Sequence, residues 1–120
     1  MKAANVAVAL APTKAITATD TGAAVNVADF SGLGVLVLNA SAGTGTTPTS
    51  TVKLQHSDDG STGWADTGHV FTAQAAVASH QSLLVNTDSL KKFVRVVNTL
   101  GGTTPGYSYG VTLVGNKQYA

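Results

Sequence analysis

The stretch Lys91-Lys92-Phe93-Val94-Arg95-Val96-Val97, followed by Gly101-Gly102-Thr103-Thr104-Pro105 and then Tyr107-Ser108-Tyr109-Gly110-Val111-Thr112-Leu113-Val114, decides the fold class. Both flanking runs alternate with a period of two, which on a strand sends one set of side chains to each face. Gly, Thr and Pro between them are turn residues, so the spacing predicts a β-hairpin closing the chain. Tyr107, Tyr109, Val111 and Leu113 share one face of its second arm. Arg95 shares a face with Phe93 and Val97, which leaves two readings, a partly buried and paired Arg or an exposed one on a half-solvated strand. Asp66, Asp88 or a neighbouring subunit is the expected source of its carboxylate.

Working outward, further short alternating runs fall at Ala4–Leu10, Ala15–Thr19, Ala23–Ala28, Leu33–Ala40, Val52–Ser57, His69–Gln74 and Gln81–Asn86. Turn residues separate them at Ala11-Pro12-Thr13, Asp20-Thr21-Gly22, Ser31-Gly32 and Asp58-Asp59-Gly60. This pattern predicts an all-β, antiparallel β-sandwich or jelly-roll-like single domain over residues 1–120. Leu33–Leu38 is apolar on both faces and reads as a central strand covered on both sides, by the core or by a neighbouring subunit. Ser41–Ser50 has no apolar anchor and is expected to be a flexible loop, or an arm ordered by a partner. Ala73–His80 is Ala-rich and reads as a loop or edge strand, and Asp88 as the cap of one helical turn.

Composition narrows the function. The chain has 120 residues, one domain's length. Charged residues make up 11% of it, where an ordinary soluble domain has about 25%. Glutamate is absent. So little charge gives weak self-repulsion and points to an oligomer or lattice component. The net charge of +1, with Lys91-Lys92 the one adjacent basic pair, argues against nucleic acid as a partner. Without cysteine there is no disulfide, thiol nucleophile or thiolate metal site. Met1 to Ala11 imitates a signal peptide, but the alternation of Val6, Val8 and Leu10 favours a first strand. No run reaches the roughly 20 apolar residues of a membrane-spanning helix, and no membrane partner is expected.

The short motifs favour structural readings. Gly106-Tyr107-Ser108-Tyr109-Gly110 matches the nucleophile-elbow pattern, yet no His or acid follows it and the flanks alternate as a strand. His56, Asp58, Asp59, Asp66 and His69 cluster in sequence without the spacing of a known metal site. The Asp residues are expected to cap their own turn, with Gly60 supplying a positive φ. No catalytic residue, cofactor or metal is expected. Trp64, the single tryptophan, is expected in the core or at an interface; stacking on a sugar is the rival reading.

The segment Ser57-Asp58-Asp59-Gly60-Ser61-Thr62-Gly63-Trp64, together with Phe93–Val97 and Gly101–Pro105, resembles the small all-β virion proteins of tailed bacteriophages. The resemblance runs from Val52 to the C-terminus, and the N-terminal half matches no motif of the group. It implies a capsid decoration or cement protein, made in the host cytoplasm and bound to the outer head surface. Its partners would be the major capsid protein and itself, as a dimer or trimer. Trp64, Lys91, Lys92, Arg95, Tyr107 and Tyr109 are the interface candidates. Two rivals are a tail or neck subunit and a carbohydrate-binding module using Trp64 with Tyr107 or Tyr109.

Overall fold

The computed structural model describes residues 2–119 in backbone, and residues 7–11 and 13–116 in side chain. Eight strands follow in order: β1 (Lys2–Ile16), β2 (Asp20–Thr21), β3 (Val25–Asn26), β4 (Phe30–Ala40), β5 (Thr44–Ser57), β6 (Ala65–Val70), β7 (Ser79–Asn86) and β8 (Phe93–Tyr119). A single 3-10 turn, Thr87–Ser89, joins β7 to β8.

The long strand β8 is the spine. On one edge β1, β2 and β3 run antiparallel to it, from Lys2 opposite Tyr119 to Asn26 opposite Phe93. On the other edge β4 lies beside its C-terminal half and β5 beside its N-terminal half. Outside these, β7 pairs with β4 and β6 with β5. The chain therefore forms four antiparallel ribbons, residues 2–26, 93–119, 30–57 and 65–86 in spatial order. Each ribbon bends to place one part in a first sheet (β1-β8-β4-β7) and one in a second (β2/β3-β8-β5-β6). This is jelly-roll order, and it brings the sheet close to barrel closure.

The bend is forced by length. At about 3.3 Å per residue, 27 straight strand residues would span about 90 Å, but the longest dimension of the molecule is 51 Å. The expected C-terminal hairpin is thus corrected: residues 93–119 form one continuous bent strand. Gly101–Pro105 bends the strand without reversing it, because β5 supplies a partner of the same sequence. Gly45-Thr46-Thr47-Pro48 runs antiparallel to Gly102-Thr103-Thr104-Pro105, with Thr46 opposite Thr103. Equivalent residues adopt matching left-handed conformations, φ +105° and +97° at Gly45 and Gly102 and +45° and +47° at Thr47 and Thr104. The two bulges are related by a local two-fold axis.

The same pairing corrects the expected flexible loop at 41–50. Thr44–Ser50 belongs to β5, and Pro48 and Ser50 are buried. The anchor missing from its own sequence lies across the sheet, where Ser50 faces Leu100 on one side and Gln74 on the other. At the other edge of β7, Asn86 caps the 3-10 turn in place of Asp88, its side chain accepting from the Asp88 N–H.

Between the sheets lies the core. Leu10, Leu36, Leu38, Val85, Tyr109, Val111 and Leu113 come from the first sheet, Val52, Leu54, Val94 and Val96 from the second, and Phe71 from just beyond β6. Burying each aliphatic side chain of this size contributes about 1.5–3 kcal/mol. The face predicted for Tyr107, Tyr109, Val111 and Leu113 is wholly buried. Leu33–Leu38 is central as expected, but its faces differ: Gly34, Leu36 and Leu38 are buried, Val35 and Val37 are half-buried, and Leu33 stands exposed.

Candidate functional site

The outer face of the second sheet carries a connected polar cluster. Strand register sets Gln55 of β5 between Arg95 of β8 and Asp66 of β6. Arg95 Nε donates to Gln55 Oε1 at 2.9 Å, and Gln55 Nε2 donates to Asp66 Oδ1 at 2.9 Å. Lys53, two residues along β5, places Nζ 3.2 Å from Asp66. Trp64, on the link leading into β6, completes the group, with the Arg95 guanidinium carbon 4.3 Å from its ring centroid. A guanidinium so placed is held by the ring's negative face while most of its N–H donors are left for other acceptors.

Arg95 is half-buried, which fits the first of the two readings its alternation left open. Its pairing differs from expectation. Among the described residues it meets no carboxylate directly, and Gln55 stands between it and Asp66. Hydrogen bonds from Gln55 and then Lys53 hold the Asp66 carboxyl below the ordinary range. The charge of Arg95 is therefore balanced at a distance, and among the described residues only its Nε–H is engaged in a hydrogen bond.

The adjoining Asp turn is self-contained. Asp59 accepts from the N–H groups of Ser61 and Thr62 and from the Thr62 hydroxyl, at 2.8–2.9 Å. These bonds, with that from Ser57, hold its carboxyl far below the usual range. Gly60 has φ +76°, as the turn requires. Lys91 lies at the same end, its Nζ 3.7 Å from Asp58 and its N–H bonded to His56 Nδ1. Burial, and then the Lys91 charge, push the His56 imidazole down against the opposing pull of Asp58. Lys92 sits over the ring of its neighbour Phe93, 5.6 Å from the centroid.

Four of the six interface candidates, Trp64, Lys91, Lys92 and Arg95, thus belong to the second-sheet half of the molecule. Tyr107 and Tyr109 do not, and this corrects the expectation. Both are core residues, 3% and 0% exposed. Tyr107 donates to the Ala75 carbonyl and Tyr109 to Asp20 Oδ2, each at 2.7 Å. Their rings face inward, so a sugar platform combining them with Trp64 is ruled out. Ser108 lies within β8 rather than on a strand-to-helix elbow, its N–H bonded to the Ser41 hydroxyl. Sequence reading missed Lys53 and Gln55; their alternation along β5 was the available signal.

No protein-family model matches the chain, and no curated protein sequence matches it. Solved structures do. The crystal structure of the SPBc2 prophage-derived protein YomS superimposes with a TM-score of 0.52 at 12% identity, over 95% of this chain and 96% of that one. A chain in the structure of infectious bursal disease virus, Gx strain, gives a TM-score of 0.56 at 11% identity. That match takes in 100% of this chain and 37% of the viral one. The likeness is one of fold. It reaches the N-terminal half, where the sequence matched no motif.

Proposed function

We propose that this chain is a non-catalytic structural component of a viral particle, and specifically a decoration protein that docks on the outside of an assembled shell. The end-to-end likeness to a prophage-derived protein carries this reading. Correspondence with part of a chain from a virus structure supports it. So does the chemistry, since the described polar groups of the second-sheet face are engaged in holding one another rather than arranged as a nucleophile and base.

The Trp64–Arg95 surface is the docking face in this reading. A half-buried Arg resting on a Trp, with donors left for other acceptors, is the kind of anchor that fixes geometry against a partner's carbonyl or carboxylate groups. Lys91 and Lys92 lie beside it. Many modest contacts across a lattice add by avidity, and binding the assembled shell alone stabilises it by mass action.

The test is quantitative mass spectrometry of purified particles. A copy number at parity with the major shell protein, or a simple fraction of it, supports decoration. A handful of copies moves the protein to a tail or neck, and absence overturns the virion reading. Arg95→Ala, folded and monitored by circular dichroism, is expected to lose particle binding; unchanged binding would exclude this face.

A further inference from the structure

The opposite side of the molecule has a different chemistry. Across β4, β7 and residues 107–116 of β8, three adjacent strands of the first sheet, there is no Asp, Glu, Lys or Arg. On their outer face Val35 lies directly between Leu84 and Val114. Leu33, two residues along β4, extends the patch. Leu33 is 69% exposed, Leu84 70% and Val114 38%. Three of the five large exposed apolar side chains of the described residues therefore share one face. Asn39, bonded to His80 Nδ1 at 2.9 Å, and Asn116 stand at its margin.

We propose that this face is a homotypic interface, on which a second copy of the chain stacks its own first sheet about a two-fold axis near Val35. The proposal is independent of the viral reading. Two observations select a second copy as the occupant. In a two-fold contact the same patch meets itself, residue i facing j and j facing i, so a face carrying one sign of charge repels itself. This face has no charge to repel, and its marginal amides both donate and accept, which makes them complementary to themselves. The second observation is area. β1 adds a fourth strand to the face, its exposed Ala7 opposite Val114 and Ala9 opposite Thr112, and four strands about 4.8 Å apart over seven residues of about 3.3 Å give about 450 Å² per copy. The total of about 900 Å² lies below the roughly 1,200 Å² at which specific stable interfaces begin, in the size class of weak, reversible contacts. Apolar centre and polar, uncharged margin also match the anatomy of such contacts.

The absence of cysteine makes the test direct. Sedimentation velocity from about 10 μM to about 1 mM is expected to show a dimer that grows with concentration. Leu84→Lys, at a site exposed enough to leave folding intact, is expected to weaken association at least about tenfold. Val35→Cys is expected to form a disulfide-linked dimer under mild oxidation, and Thr99→Cys, on the second sheet, to stay monomeric. A wild-type monomer throughout that range overturns the proposal and leaves the face to a different protein. So does a dimer indifferent to Leu84→Lys, or cross-linking equal at both cysteines.

Discussion

The side chain of Gln81 and the backbone of Thr72 hold each other as two paired strand residues would. The Thr72 N–H donates to Gln81 Oε1 at 2.8 Å, and Gln81 Nε2 donates to the Thr72 carbonyl at 2.9 Å. Gln81 lies near the start of β7 and Thr72 follows β6, so the bond spans the corner where the outermost ribbon leaves one sheet for the other. On the side turned away from β5 the backbone there has no neighbouring strand, and a carboxamide, carrying one donor and one acceptor group, takes its place.

Gln81→Leu should therefore cost about 1–2 kcal/mol in urea unfolding, because both backbone groups lose their partner. Gln81→Glu should be more stable in mild acid than its neutral-pH value implies, since only the protonated carboxyl can donate to the Thr72 carbonyl. Amide exchange at Thr72 locates the effect.

At the reciprocal bulge the backbone leaves no room for a side chain. A Cβ at Gly45 would lie 2.4 Å from the Thr104 carbonyl oxygen, and one at Gly102 2.5 Å from that of Thr47. Gly45→Ala or Gly102→Ala should each cost more than about 2 kcal/mol, from clash and left-handed strain together. Thr47→Asn and Thr104→Asn should raise the urea midpoint, since Asn tolerates the left-handed region far better than a β-branched residue. A loss of stability in both Asn variants would show the threonines to be held there by contacts rather than strained.

Asp20 ties the first ribbon to the spine and makes stability depend on pH. Its burial pushes the carboxyl up, but the Tyr109 hydroxyl and Lys14, by hydrogen bond and charge, outweigh this and bring it below the ordinary range. The folded chain then binds this proton less readily than the unfolded one. The stability it contributes is complete above the unfolded pKa of about 3.9, and is lost as pH falls through the folded value. Asp59 acts in the same direction, through the N–H groups of Thr62 and Ser61. Asp20→Asn should flatten part of the acid limb in a denaturation series between about pH 5 and pH 2. Tyr109→Phe should cost about 1–3 kcal/mol at neutral pH by stripping a charged partner of its donor.

Gly43 admits Tyr107. A Cβ there would lie 2.5 Å from two carbons of the Tyr107 ring, and the Gly43 N–H bonds to the Ala76 carbonyl. Gly43→Ala should destabilise by about 1–3 kcal/mol through overpacking. Combined with Tyr107→Leu the cost should be less than the sum of the two single changes, a coupling that a double-mutant cycle measures directly.

Much of the local structure was legible in the residues themselves. Alternation placed Tyr107, Tyr109, Val111 and Leu113 on a buried face and Arg95 beside Phe93 and Val97, because a strand's period depends on nothing outside the strand. The Asp59 turn was equally plain, as its carboxylate reaches only its own backbone. Trp64 and Arg95 were both singled out, but their stacking was not, since 31 positions of chain separate them.

What the sequence alone determined is the all-β class, the two-faced strands and the self-capped turn, all set by interactions within a few residues. Tertiary structure decided the rest. Gly101–Pro105 has the residues of a hairpin turn, and bends a continuous strand only because Gly45–Pro48, a copy of most of it, pairs across the sheet. The same pairing turned an anchorless stretch at 44–50 into strand. Backbone hydrogen bonds in a sheet go to whichever strand arrives alongside, and that partner is chosen by closure of the whole jelly roll rather than by the segment it completes.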